Sequence, residues 1–264
     1  MRAAAPAKLN LALVVGPTRA DGKHEVATVL QRIDLGDRVA LIPAPTLDVR
    51  GFAGDTLVRG ALEELAAAAG VEPRWQATIT KRTPVAAGLG GGSSDAATAL
   101  RLANATLIHP LPLEQLHSVA AEIGADVPFF LAPGPQLGTG DGTELAPAEL
   151  PSDYVVVLVL PAGEQKASTA SVYESFSGEG GFAERRAALD AALSAGDIAS
   201  LPPNDLASSP LAAELKALGA FRADVSGAGP VVYSLFTEEE QAEAAQEAMA
   251  HRGQTWLAKP AWYG

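Results

Sequence analysis

The run Pro84-Val85-Ala86-Ala87-Gly88-Leu89-Gly90-Gly91-Gly92-Ser93-Ser94-Asp95 constrains the fold more than any other part of the chain. Before it, Trp75-Gln76-Ala77-Thr78-Ile79-Thr80 alternates apolar and polar side chains, as a half-buried strand does. After it, Asp95 to Ala103 is rich in good helix formers. A glycine loop that feeds a helix N-terminus leaves backbone N–H groups unpaired and turns the positive end of the helix dipole toward whatever approaches. The usual ligand of such a loop is phosphate. The spacing is not that of a Walker A loop, because no Gly-Lys-Ser/Thr follows. It is a poor dinucleotide fingerprint too, with Ser93 at the sixth position. A flexible linker is the competing reading; Leu89 and the helix directly behind the loop argue against it.

A formal net charge of −12 over 264 residues opposes nonspecific binding to nucleic acid or to an anionic membrane. It also means that a polyphosphate must find compensation locally, from backbone dipoles, a divalent cation and a few basic side chains. Lys81 and Arg82, just ahead of the loop, are candidates. With no cysteine, disulfides and thiolate metal sites are excluded, and four scattered histidines do not make a structural metal site. Met1 to Pro6 lacks the apolar core of a signal peptide, and Val155 to Leu160 is too short to span a bilayer. The expectation is a cytoplasmic protein that binds neither nucleic acid nor membrane, as a monomer or weak homodimer.

Ala7 to Val15 alternates as a strand and puts Lys8 and Asn10 on one face. Further strand-like sequence runs through Ile33 and Val39 to Ile42. Asp55 or Thr56 can cap a helix with apolar Leu57, Val58, Ala61, Leu62, Leu65 and Ala69, which Gly70 ends. Leu113, Leu116, Val119, Ala120 and Ile123 line another helix that stops near Gly124. The Pro/Ala-rich stretch Ala146–Pro151 is the best domain boundary. Beyond it lie a buried strand from Tyr154 to Leu160, helices over 183–195 and 206–218, and a strand from Val231 to Phe236. Thr237 and Glu240 form a capping box for a helix through Met249. Without a regular βαβ rhythm, an α+β fold is favoured over a doubly wound sheet.

Taken singly, the chemical candidates each have an ordinary reading. Lys8 is either a strand-end lysine that snorkels or an ammonium aimed into a site to stabilise a developing anion. Asp126, in Gly124-Ala125-Asp126-Val127-Pro128, either caps a short helix or is a carboxylate against an apolar wall that takes a hydroxyl proton. Asp21-Gly22-Lys23-His24 reads as a turn with a lone histidine. Asn204-Asp205-Leu206 reads as a helix cap. Ser226-Gly227-Ala228-Gly229-Pro230 is a tight turn or a second close approach to a ligand.

Their order is more informative. Pro6-Ala7-Lys8-Leu9-Asn10-Leu11, Asp21-Gly22-x-His24, Pro84–Ser94, Gly124–Pro128, Asn204–Leu206 and Ser226–Pro230 together resemble the GHMP small-molecule kinase superfamily over nearly the whole chain. The resemblance implies a two-domain α+β fold: residues 1–148 as an ATP-binding half like ribosomal protein S5 domain 2, and residues 149–264 as a ferredoxin-like half. It implies ATP with Mg2+, its phosphates cradled by Pro84, Val85, Ala86, Ala87, Gly88, Leu89, Gly90, Gly91, Gly92, Ser93 and Ser94. It makes Lys8 and Asp126 the catalytic pair. Asn10, Lys23, His24, Thr169 and Tyr173 become substrate contacts, with His24 at a cytosine edge and Tyr173 stacked on the base. The implied acceptor is a cytidine diphosphate-linked methylerythritol, phosphorylated on its 2-hydroxyl in the non-mevalonate isoprenoid route. There are departures from the pattern. Lys23 stands at a usually aromatic position, and a lysine is no stacking platform. Thr56-Leu57 replaces Asn-Leu on the adenine side, which removes an amide, and Ala86-Ala87 replaces glycine at the loop's start. The alternatives are a kinase of the same superfamily acting on homoserine or a sugar, and a nucleotide-binding sensor without catalysis.

Overall fold

The computed structural model describes residues 1–163, 169–176 and 180–261. In chain order its elements are β1 (Arg2–Thr18), β2 (His24–Pro43), β3 (Asp48–Arg50), α1 (Leu57–Ala69), β4 (Trp75–Thr80), α2 (Gly91–Asn104), α3 (Leu113–Ile123), β5 (Gln136–Thr139) and β6 (Glu144–Pro147). There follow β7 (Val155–Pro161), α4 (Thr169–Glu174), α5 (Phe182–Ala195), α6 (Pro210–Ala217), β8 (Arg222–Val225), β9 (Val232–Phe236), α7 (Glu239–Met249) and β10 (Gly253–Ala258). They pack as two compact units that interleave along the sequence. The first holds Met1–Ala7, Leu35–Val85 and Gly90–Pro133; the second holds Lys8–Asp34, Ala86–Leu89 and the chain from Gly134 onward. Strands β1 and β2 therefore contribute residues to both.

In the first unit the later half of β2 pairs antiparallel with β4, Arg38 opposite Thr80 and Pro43 opposite Trp75, and β3 lies parallel to β4. The alternation read from the sequence holds in β4: Trp75, Ala77 and Ile79 are buried. Helix α1 buries Val58, Ala61, Leu62 and Leu65, the stripe that a period of 3.6 produces. It ends at Gly70, left-handed at φ 66°. Of the two candidate caps, Asp55 does the capping: its carboxylate accepts from the amides of Val58 and Arg59, whereas Thr56 makes no side-chain cap bond.

Helix α2 starts at Gly91, four residues before the helix-forming run at Asp95. Packing overrides the poor helix propensity of its glycines. A Cβ at Gly92 would lie 3.1 Å from Leu57 of α1, so the first turn of α2 is pressed against its neighbour.

In the second unit the early half of β2 pairs with β5, and β5 with β6. Ala146 and Pro147 thus close a strand instead of opening a linker; a proline is tolerated there because it ends an outer strand. A separate antiparallel sheet runs in the order β10-β7-β9-β8. Val155, Val157 and Val159 of β7 and Val232 and Phe236 of β9 form its core with Leu215 of α6 and Ala245 and Met249 of α7. Helix α6 is shorter than the expected 206–218, because Pro210 fixes its first turn and the Ser209 hydroxyl accepts from the Leu211 amide. The capping box at α7 is not formed. The helix begins at Glu239 with Glu238 as its cap, so Thr237 lies one residue too early.

Candidate active site

The pleat of β1 decides which residues of the Lys8 segment meet. Lys8 and Asn10 share a face and are both buried, 4% and 5% exposed. The Lys8 ammonium donates to Asn10 Oδ1 at 2.5 Å. Asn10 Nδ2 in turn donates to the Thr28 hydroxyl at 2.8 Å, and Thr28 donates to the carbonyl of Ala12 at 2.8 Å. The chain of donors fixes the amide's orientation, with its oxygen toward the lysine. A buried ammonium held this way is aimed by the Asn10 amide oxygen.

Ala86–Leu89 of the glycine loop belong to the same unit. The Lys8 amide donates to the Leu89 carbonyl at 2.9 Å, and the Ser226 hydroxyl donates to the Gly88 carbonyl at 3.0 Å. Gly88 has φ +83°, and a Cβ there would lie 2.1 Å from the carbonyl oxygen of Ser226. Only glycine fits a backbone so close in that conformation.

Residues Gly90–Ser94 belong to the first unit, where they cap and begin α2. The first-turn amides of a helix have no acceptor within the helix. No acidic residue lies in that turn to quench the dipole. The Ser94 hydroxyl is fully buried and has no hydrogen-bond partner among the described residues; the same is true of the Thr83 hydroxyl. In this unit Asp126 is half-buried, in a turn closed by the Val127 amide donating to the Gly124 carbonyl. Val127 and Phe129, next in the chain, are completely buried.

Lys81 departs from expectation. Its ammonium is bound by two carboxylates, those of Asp37 and, at 2.9 Å, Asp95, and lies 5.7 Å from the centre of the Phe52 ring. A Cβ on Gly91 would come within 3.3 Å of it, so the lysine sits at the start of α2 with its charge already matched. Asp37 also accepts from the backbone amides of Arg82 and Thr83. Arg82 contributes that amide, and its side chain is exposed. Burial pushes the Asp95 carboxyl up to about 7 despite the ion pair with Lys81. Between the ordinary value of 3.8 and about 7 the folded chain keeps a proton that the unfolded chain has released. Stability therefore falls as pH rises through that window and is level above it. Asp95→Asn removes this titration. Melting curves from pH 5 to pH 8 should show the wild-type midpoint falling more than the variant's; parallel profiles would mean that Asp95 does not titrate there.

His24 and Tyr173, far apart in sequence, come together in the second unit with ring centres 6.0 Å apart. The sequence reading missed Phe176, whose ring meets His24 edge-on at 5.7 Å; one aromatic in a serine-flanked segment gave no periodic signal. Tyr173 and Phe176 pack against Leu13, Val15 and Val26. His24 Nδ1 is 2.9 Å from the Gly16 carbonyl. A carbonyl can only accept, so Nδ1 is the donor of this bond and Nε2 is left to make the ring's other contact. Lys23 pairs with Asp141 at 2.6 Å. Residue 169 opens α4, but the Thr169 side chain and residues 164–168 lie outside the described residues.

A glycine loop leading into a helix, a buried strand lysine and a Gly-Ala-Asp-Val-Pro turn resemble features of the small-molecule kinases, and comparison with known proteins gives the class. Residues 56–134 match the family model for the GHMP kinases N terminal domain, and residues 206–255 match GHMP kinases C terminal. A relative from Anaeromyxobacter sp. (strain Fw109-5), named 4-diphosphocytidyl-2-C-methyl-D-erythritol kinase, is 38% identical over 93% of this chain and 85% of its own length. One of the same name from Geobacter sulfurreducens (strain ATCC 51573 / DSM 12127 / PCA) is 36% identical over 96% and 95%. The crystal structure of a 4-(cytidine 5'-diphospho)-2C-methyl-D-erythritol kinase superimposes with a TM-score of 0.82 at 31% identity, covering all of both chains. A homoserine kinase from Cytophaga hutchinsonii ATCC 33406 shares the fold, with a TM-score of 0.78 at 18% identity over 99% and 94%. The chain belongs to the 4-diphosphocytidyl-2-C-methyl-D-erythritol kinase family, a branch of the GHMP kinases.

Proposed function

We propose that this protein transfers the γ-phosphoryl group of ATP to the 2-hydroxyl of 4-diphosphocytidyl-2-C-methyl-D-erythritol, in the non-mevalonate isoprenoid pathway. The observation that carries this reading is similarity to kinases of that name over more than nine-tenths of the chain. The GHMP homoserine kinase shares only the fold, so the homoserine or sugar alternative has the weaker support. Presence of both Lys8 and Asp126 speaks against a sensor without catalysis.

In this reading Pro84–Ser94 hold the phosphates. Phosphoryl transfer asks mainly for positioning and charge stabilisation. Asp126 accepts the proton of the tertiary alcohol as its oxygen bonds to the γ-phosphorus and ADP leaves. Lys8, aimed by Asn10, favours the oxyanion. The second N–H of the Asn10 amide is left for the substrate. His24 Nε2 accepts from the exocyclic amine of cytosine, and Tyr173 lies against the base with Thr169 and Lys23 nearby. Mg2+ fits the residues present. It binds phosphate oxygens and water with few protein ligands, and the orphaned Ser94 hydroxyl at the first turn of α2 is a suitable oxygen. The ion would neutralise charge on the phosphates. The division at 148/149 is one of sequence and role, with the ATP-binding segment before it. The same reading makes the enzyme a cytoplasmic monomer or weak homodimer that binds no nucleic acid; among the described residues no helix is long and apolar enough to cross a membrane.

A coupled assay of ADP release tests the reading with three acceptors: the cytidyl substrate, its cytidine-free analogue and homoserine. Release with the first alone is expected. Turnover of homoserine but not the cytidyl compound would replace the proposal, and tight ATP binding with no turnover of any alcohol would favour the sensor. Lys8→Ala should lower turnover roughly 10²–10³-fold, as loss of an oxyanion-stabilising group does. ATP affinity should be nearly unchanged in an equilibrium titration.

A further inference from the structure

Within the second unit, a set of groups converges on Lys8 that the reaction itself does not use. The turn Ser226–Gly229 lies on the lysine: a Cβ on Gly227 would stand 3.0 Å from Asn10 Oδ1 and 3.5 Å from the Lys8 ammonium. Gly227 has φ +58°, so nothing larger fits without moving one or the other.

Two side chains pin this turn. Asn204 Nδ2 donates to the carbonyls of Gly227, at 2.6 Å, and Val225, at 2.9 Å. Its own oxygen accepts from the Leu206 amide, and its backbone amide donates to Asp224 Oδ2. Both polar atoms of its side chain therefore have definite partners, and the orientation of the amide is not free. Ser226, fully buried, accepts from the Asn10 amide at 3.2 Å while its hydroxyl donates to the Gly88 carbonyl. It ties the lysine's strand and the glycine loop to the same turn. The sequence suggested only a helix cap for Asn204, but no helix starts there; α6 begins at Pro210.

We infer that Asn204 and Ser226 are positioning residues: they hold the 226–229 turn against Lys8 and Asn10 and so set where the ammonium points. This rests on the reading of Lys8 as the group that stabilises the reacting oxygen. A lysine stem has four rotatable bonds, and its ammonium stays aimed only if the cavity around it is rigid. Displacement by an ångström is enough to lose on the order of 10²-fold in rate.

A double-mutant cycle tests this. Asn204→Ala and Ser226→Ala are each made in the wild type and in Lys8→Ala, with kcat, KM for ATP and the thermal midpoint measured throughout. In the wild type each is expected to lower kcat by roughly 10–10²-fold with KM for ATP nearly unchanged. In the Lys8→Ala background the same changes should alter kcat by less than about threefold, because the group being positioned is gone. An equal loss in both backgrounds would reduce the two residues to scaffold and overturn the inference. Wild-type kcat in both single variants would overturn it as well. Wild-type turnover of Lys8→Ala itself would instead overturn the assigned role of the lysine. Should Asn204→Ala fail to fold, Ser226→Ala, which removes one hydroxyl and leaves the turn's backbone intact, decides the matter alone.

Discussion

Asp126→Asn is expected to lower turnover by roughly 10²–10⁴-fold, the usual contribution of a positioned base. The substitution keeps the shape of the side chain and removes its ability to take a proton. The position is half-buried, so bulk water is a poorer substitute for the carboxylate there than at an exposed site. Asp126 lies outside the glycine loop, so ATP should bind with little change, and kcat and kcat/KM should fall together. Steady-state ADP release and a separate nucleotide titration would show this. Full turnover in the variant would remove Asp126 from the mechanism.

Gly88→Ala is expected to cost several kcal/mol of stability and most of the activity. A left-handed backbone at φ +83° contributes about 1–3 kcal/mol of strain once a Cβ is present. The contact of 2.1 Å with the Ser226 carbonyl adds about 1–3 kcal/mol, because backbone on one side or the other must move. A drop in thermal midpoint on the order of 10 °C follows. Nucleotide affinity should weaken too, because Leu89 and the Lys8 strand share the displaced segment. A variant that melts with the wild type would show that this turn is far more pliant than its geometry suggests.

Local periodicity made much of the fold legible. The alternation of β4, the stripe of α1 and the stop at Gly70 are all satisfied by neighbours in sequence. What the sequence hid depends on distant partners. Lys81 looked like a cation for phosphate because its carboxylate partners, Asp37 and Asp95, lie 44 and 14 residues away. Arg222 of β8 is 5% exposed and donates to the carbonyls of Leu11, Ile198, Leu201 and Pro202 and to the Tyr233 hydroxyl. Burying a guanidinium is tolerable only when its donors are satisfied, and no pattern along the chain announces that. The start of α2 was misplaced because propensity disfavours glycine where packing against Leu57 demands it. Of the candidate site, the motif residues were legible by type and order; the aiming of Lys8 by Asn10, and Phe176 beside His24, were not.

Because β1 and β2 each thread both packing units, and Ala261 returns to donate to the carbonyl of Arg32, no single cut of the polypeptide yields two self-sufficient pieces. Exchanging halves between related kinases at residue 148 would separate the tail from the strand that it completes. A chimera that keeps each half's sequence intact would still have to rebuild that pairing across mismatched parents. Recombination points chosen within exposed loops inside one unit should be better tolerated.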